Sequence, residues 1–285
     1  MSNVDRVFTV IELLARARTG LPLSVISDKL GLPKSSLHLI LRLLIAKGYI
    51  RQDPATQQYV LTMRLLALGF RHLEASGLTN ACQPTLDHLA EAVGEFVQMR
   101  IVDGEELISV AWAQGSQSAL RYVATGAPQS NLHATACGAV WLASLSEEEA
   151  ARLVLKHGFE AQESSPGRQQ VRTLPELFDK LRKTRARGYG LNLDEGAPGV
   201  NAVAVAIKAD ETPGSPVIGA LAIAGPVTRL PRKKLIEFVA NLKAAASELS
   251  AVWPMQKLLA RGLQPQQASL EGAVRRADEA LFFKH

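Results

Sequence analysis

Cys137 stands four residues after His133, where a helix is expected to begin. A thiol in the first turn of a helix can lose its proton and become a nucleophile. No third group of suitable role accompanies the pair, and the i, i+4 spacing shares a face without giving sulfur and ring a productive geometry. A buried structural cysteine is the favoured reading. The adjacent acids Asp194 and Glu195 have the type for general acid/base work, but no His, Cys or third carboxylate lies at a metal-ligand spacing, which favours a surface turn or a pocket-closing loop. Gly188-Tyr189-Gly190 lacks the third glycine of a dinucleotide loop and follows a helical pattern instead of a strand. Cys82 and Cys137 form no CxxC or Cys/His spacing. The expectation is therefore no catalytic residue, no metal and no cofactor: a protein that binds and does not catalyse.

The residues that could bind lie in LSVISDKLGLPKSSLHLILRLLIAKGYIRQDPATQQY, Leu23 to Tyr59. Val25, Ile26 and Leu30 share one helical face, and Gly31 closes that helix. Pro33 opens the next, where its missing N–H costs nothing. At 3.6 residues per turn Leu37, Ile40, Leu41, Leu44 and Ile45 form a core face, which turns Ser35, His38, Leu39 and Arg42 outward. Lys34, Ser35 and Ser36 occupy the first turn, where free N–H groups and the dipole favour a phosphate. Tyr49 to Asp53, a Pro54-Ala55-Thr56 turn and Gln57 to Leu61 make a hairpin wing, with Arg51 placed to meet backbone phosphate. The layout reads as a winged helix-turn-helix, whose expected partner is double-stranded DNA; the alternative is an ordinary helical hairpin with a solvated polar face.

Charge supports that placement. Residues 1–75 hold 10 Lys/Arg against 5 Asp/Glu, and residues 76–285 hold 22 of each, so the whole net charge of +5 lies in the helix-turn-helix quarter. The N-terminus lacks the basic leader and long apolar core of a signal peptide, and no apolar run reaches membrane-spanning length. A cytoplasmic protein without a membrane partner is expected.

Around this segment, Val7, Val10, Ile11 and Leu14 stripe a first helix that Gly20-Leu21-Pro22 ends, and Thr62 to about Gly77 reads as a connecting helix. Leu86, Leu89, Ala90 and Val93 predict a helix ending at Gly94. Val97, Met99 and Ile101, an Asp103-Gly104 turn, then Ile108, Val110 and Trp112 predict an antiparallel hairpin. His133 to Leu145 reads as a helix start and an apolar helix, Leu174 to Arg187 as a helix ending at Gly188, Val200 to Ile207 and Val217 to Ala224 as strands, and Leu235 to Val252 as a last helix. The fold class is α+β: a winged helix-turn-helix (1–62), a linker helix (63–80) and a domain of antiparallel sheet flanked by helices (81–253). The tail 254–285 repeats Leu270, Val274, Ala277 and Leu281 at helical spacing, which suits a loosely attached helix or a partner-binding one.

From Val4 to about Trp253 the chain resembles the IclR family of bacterial transcription regulators. The resemblance rests on GLPKSSLH followed by LIAKGYI, on YVLTMRLLALG, on HATACGAVWLA, on RARGYGLNLDEGAPGVNAVAV and on IGALAIAGP, in that order. It implies a GAF-like effector-binding domain at residues 81–253 and a homodimer or tetramer on a partly palindromic operator, switched by a small-molecule effector. Members of the family include repressors and activators, and their ligands are mostly small organic acids and aromatic compounds.

Two departures from the family pattern stand out. Where the family commonly carries Arg after the histidine of the reading helix, this chain has Leu39, which can touch a thymine methyl but cannot hydrogen-bond a guanine edge. Base reading shifts to Ser35, Ser36 and His38, with Arg42 nearer the backbone. Where relatives that hold small carboxylates use an acid, a Cys and serines, the matching positions here are Asn192, Ala202, Ala222 and Ala224. The resemblance thus implies a larger, drier pocket, with Asn192 and the backbone of Ala136 and Cys137 as polar contacts, and with Leu120 and Tyr122 among the effector-binding residues. The alternative is that these alanines pack a closed core. The expected function is a repressor of a catabolic operon whose effector is aromatic or apolar. A ligand-sensing or scaffolding protein with weakened specific DNA binding is the second reading.

Overall fold

The computed structural model describes residues 2–17, 19–115, 131–159 and 171–252. The chain divides into two compact units, Met1–Ala75 and Ser76–His285.

The first unit begins with α1 (Asn3–Ala15), whose Ser2 and Asp5 cap each other reciprocally. Then come α2 (Leu23–Leu30), α3 (Lys34–Ala46), β1 (Ile50–Gln52), β2 (Tyr59–Leu61) and α4 (Arg64–Ser76). Gly31 ends α2 in the left-handed conformation, φ 61°, as its place in the sequence predicts. Val10, Leu14, Ile26, Leu37, Ile40, Leu41, Leu44, Ile50 and Tyr59 form one core. Ile45 does not join it. It is 40% exposed, because the buried arc of α3 is narrower than the predicted stripe and ends at Leu44. The wing is short, with Arg51 opposite Val60. The Asp53 carboxylate closes its turn by accepting from the Ala55 and Thr56 amides, at 3.0 and 2.8 Å. The same bonds hold that carboxyl below its ordinary pKa.

In the second unit α5 (Leu78–Val93) leads into β3 (Phe96–Asp103) and β4 (Glu106–Gln114). A 3-10 turn at Leu132–Ala134 precedes α6 (Ala136–Leu142), followed by α7 (Glu147–His157) and α8 (Leu174–Arg187). The chain goes on through β5 (Gly190–Leu193), β6 (Val200–Lys208), β7 (Val217–Pro226), α9 (Arg232–Glu237) and α10 (Val239–Val252). The sheet is antiparallel in the order β4-β3-β7-β6-β5. Apolar side chains of α6, α7 and α8 pack with the alanines of one sheet face in a single core cluster, while α5 and α10 pack on the sheet and on each other. The α+β architecture is the one expected.

Four boundaries depart from the predicted elements. The linker read as 63–80 ends at Ser76, because Gly77 takes a left-handed φ of 67° and breaks the helix, and residues 78–80 open α5. The helix predicted over 133–145 is a 3-10 turn followed by α6, with the Thr135 hydroxyl between them accepting from the Gly138 amide at 3.0 Å. The last helix is two, α9 and α10, separated at Phe238. In the first hairpin, Met99 pairs with Ala111 and Arg100 with Ser109, which leaves Val110 as an extra residue. That bulge shifts the alternation by one residue. Ala111 and Ala113 are buried and Trp112 is 60% exposed, so the predicted inward set Ile108, Val110 and Trp112 is split between the faces. The tail 254–285 lies outside the described residues. Among those described, no helix is long and apolar enough to cross a membrane.

Candidate functional site

Two places in the molecule hold the residues singled out in the sequence. The first is the outer face of α3. Lys34, Ser35, His38, Leu39 and Arg42 are exposed and Ser36 is half-buried, while Leu37, Ile40, Leu41 and Leu44 fix the opposite face in the core. Leu39 is 61% exposed and Leu43, one turn on, 54%. Two large aliphatic side chains therefore stand exposed on that outer face. Arg51 projects from the wing with its side chain 63% exposed and 3.9 Å from the Asp53 carboxylate, too exposed and too long a pair to immobilise it.

The second is a cavity of about 70 Å³ in the other unit, lined by Gln98, Asn131, Thr135, Ala136, Cys137, Asn192, Gly196, Ala197, Val200, Ala202, Ala222 and Ala224. Sheet register assembles it. Phe96, Ala224, Ala202 and Asn192 are successive partners across four strands, and Gln98, Ala222 and Ala204 form the adjacent row. Directly opposed residues share a face, so the alanines at the centre of these two rows leave room against the first turn of α6. Six of the eight predicted effector residues meet here: Ala136, Cys137, Asn192, Ala202, Ala222 and Ala224. Leu120 and Tyr122 lie outside the described residues.

The expectation of a larger, drier pocket is not met. The cavity is small, and Gln98, Asn131 and Thr135 add polar groups that reasoning from the alanines missed. Gln98 is 6% exposed, and among the described residues its Oε1 has no hydrogen-bond partner. Asn192 serves differently from expectation. Its amide donates to the Ala134 carbonyl at 2.6 Å and its Oδ1 accepts from the Glu195 amide at 3.0 Å, so it stitches the β5–β6 loop to the 3-10 turn. Gly196 sits in that loop because a Cβ there would stand 2.6 Å from the Ala134 oxygen. Next to it Lys180 of α8 donates to the His133 carbonyl at 2.8 Å and pairs with the Glu195 carboxylate, both side chains nearly buried.

These geometries bear on the chemistry weighed above. The Cys137 thiol is buried and burial pushes its pKa up to about 11, so it is protonated at neutral pH. His133 is 1% exposed. Burial, and then the Lys180 charge, push it down to about 4, so the ring is neutral. It packs edge-on to Phe159 at 5.2 Å. Asp194 caps its own loop by accepting from the Gly199 amide at 2.6 Å, and Glu195 is committed to Lys180, so both acids hold the loop that carries the lining residues Gly196 and Ala197. Among the described residues no group of three or more His, Cys, Asp or Glu side chains is arranged to hold a metal ion.

Comparison with known proteins assigns a domain to each unit. Residues 3–54 match the IclR helix-turn-helix domain, and residues 70–251 match the bacterial transcriptional regulator IclR C-terminal domain. The chain is 30% identical over 250 residues to the HTH-type transcriptional regulator XynR of Escherichia coli K12, covering 88% of this chain and 96% of that one. Among solved structures, an IclR transcriptional regulator from Alicyclobacillus acidocaldarius superposes with a TM-score of 0.73 at 22% identity, covering 88% of this chain and 98% of the other. An IclR homologue from Microbacterium hydrocarbonoxydans complexed with 4-hydroxybenzoate gives 0.67 at 21%, covering 88% and 99%. The exposed helix of the first unit and the alanine-walled cavity of the second are thus parts of a chain that belongs to the IclR family of bacterial transcription regulators.

Proposed function

We propose that this regulator is a metabolite-responsive repressor that binds an operator through α3 and the wing and takes its effector in the cavity of the second unit. The observation that carries the reading is the exposed row Ser35, His38, Leu39 and Arg42 on a helix whose other face is locked in the core. Such a helix presents its N-terminal half to a major groove, with Lys34 and Arg51 available to phosphates. The family supplies the repressor precedent, and the 4-hydroxybenzoate complex of a homologue supplies the precedent for a small organic effector. The cytoplasm is the compartment, and a catabolic operon the target. No catalytic step is assigned: the one candidate nucleophile is a buried neutral thiol.

The assembly is a homodimer or a tetramer. Val4 and Phe8 of α1, and Leu66 and Phe70 of α4, are exposed apolar side chains of the kind that copies of a chain cover in one another. Two reading heads on a partly palindromic site follow from such symmetry.

A gel-shift with the chain's own upstream region tests the reading. Retardation of that fragment over random DNA, weakening steeply with salt, is the expected result. Equal retardation of both fragments would favour a sensing or scaffolding protein instead.

A further inference from the structure

Leu39 and Leu43 are the two most exposed large apolar side chains of α3, in the helix-turn-helix domain that the chain shares with its family. At about 100° per residue, Leu43 lies about 40° round the helix from Leu39 and one turn further along. Ser35, Arg42 and His38, all exposed, lie about 40° to 100° round in the other direction. The outer face is thus divided lengthwise into a polar strip and an apolar one. The two leucines are neighbours, with Cβ atoms about 5–6 Å apart. Neither fills the core, which Leu37, Ile40, Leu41 and Leu44 enter from the opposite side of the helix.

A surface turned only toward phosphates gains from cations and hydroxyls, and α3 offers those in Lys34, Ser35 and Arg42. A leucine offers a phosphate nothing. On the floor of the major groove nearly every feature is a hydrogen-bond donor or acceptor, and the one apolar group is the C5 methyl of thymine. Over a G·C pair a leucine covers polar edges without supplying a hydrogen bond, whereas over a thymine it buries methyl against methyl. We propose that Leu39, with Leu43 beside it, reads thymine methyl groups. The operator then carries thymines where it faces this strip, within about two base pairs of each other at a rise of about 3.4 Å per pair. Discrimination there comes from apolar contact and from exclusion of G·C, while Ser35 and His38 hydrogen-bond alongside. Leu39 has the larger share, because it stands in the N-terminal half of the helix, which meets the base edges. The inference rests on α3 being the DNA-reading helix and names the base chemistry it selects.

The test uses the full chain and its Leu39→Ala, Leu43→Ala and His38→Ala variants. The wild type first selects sites from a randomised duplex pool. The enriched site is then resynthesised with uracil in place of each thymine in turn, which removes the methyl and keeps the hydrogen-bonding edge. Fluorescence anisotropy reads affinity, thermal melting checks folding and sedimentation velocity reads oligomeric state. At the thymines facing the strip, uracil is expected to weaken wild-type binding roughly threefold to fivefold, the scale of one buried methyl group. Leu39→Ala should bind the thymine site roughly fivefold to tenfold more weakly than the wild type and should no longer distinguish thymine from uracil at its position. Its affinity for random duplex, set by phosphate contacts, should stay within about twofold. Leu43→Ala should behave likewise at the neighbouring thymine, with a smaller loss. His38→Ala should lose affinity and keep the thymine preference. An enriched site without thymine, wild-type indifference to uracil at every position, or a Leu39→Ala protein with the preference intact overturns the inference and leaves α3 a DNA-reading helix. Equal weakening of Leu39→Ala on selected and random duplex would assign the leucine to the DNA backbone and overturn it too. A changed oligomeric state in Leu39→Ala, with the thymine preference intact, would make the pair a contact between copies of the chain. A selection that enriches no site at all would remove the sequence-reading role of α3 itself.

Discussion

The α3 face and the cavity solve opposite problems with the same kind of material. On α3 the polar side chains of Lys34, Ser35, His38 and Arg42 are exposed, and an apolar core behind them supplies the rigidity. Around the cavity the polar groups are buried, and most are spent on holding the walls: Asn192 to Ala134, Lys180 to Glu195 and His133, Thr135 to Gly138. A partner that arrives as a large charged surface needs a fixed platform and little else. A small effector needs an enclosed space, and enclosure obliges every polar group to be satisfied or reserved for the ligand. The two regions should therefore respond oppositely to mutation, the cavity region through stability and the α3 face through binding.

The largest effect is expected at Lys180. Lys180→Met leaves Glu195 nearly buried without its cation and frees the His133 carbonyl, at a cost of about 3–5 kcal/mol in the unfolding of the second unit. Urea denaturation followed by tryptophan fluorescence would report it, since all three tryptophans, Trp112, Trp141 and Trp253, fall within residues 76–285. A loss below about 1 kcal/mol would mean that the pair is solvated and the loop is not held by it.

A smaller effect comes from pH. The folded state holds His133 near 4, well below its ordinary value of about 6.5, so between those values the unfolded chain binds the proton more readily. The stability from a neutral His133 is complete above about pH 6.5 and is lost as pH falls toward 4, by on the order of 2 kcal/mol. His133→Asn should flatten that part of the stability profile relative to the wild type. Parallel profiles for the two proteins would contradict the assignment.

The contrast also explains what could be read from the sequence. The α3 face was legible because helical periodicity maps residue number directly onto direction, and because Gly31 and Pro33 bracket the turn. Only the edge of the stripe misled, at Ile45, where the core happens to end. The alanine positions, Asn192 and Cys137 were legible through the family's motifs. Gln98 and Arg100 were not, because the apolar alternation Val97, Met99 and Ile101 marks one face of the strand and says nothing about the other. A signal was present: Gln98 and Arg100 are polar residues two apart in a strand that helices cover on both sides, where a buried polar residue demands a reason. Trp112 was misplaced for a different cause. A single-residue bulge leaves no mark on an alternating pattern except its consequence.

The smallest stability effects belong to the α3 face. Ser35→Ala, His38→Ala and Leu39→Ala should each change unfolding free energy by no more than about 0.5 kcal/mol, since each side chain is exposed. Thermal melting would check this, and a drop of several degrees in any of them would show that the face is packed against a second copy of the chain instead of being free for DNA.

The central claim is that this face reads duplex DNA. Fluorescence anisotropy of a labelled fragment from the chain's own upstream region, titrated with the wild type and with His38→Ala, tests it most directly. The account expects the wild type to bind that fragment at least a thousandfold more tightly than random duplex, with affinity falling as a power of salt concentration, and expects His38→Ala to lose about tenfold on the specific fragment alone. Equal affinity for both duplexes, or a His38→Ala protein indistinguishable from the wild type on the specific one, would contradict it.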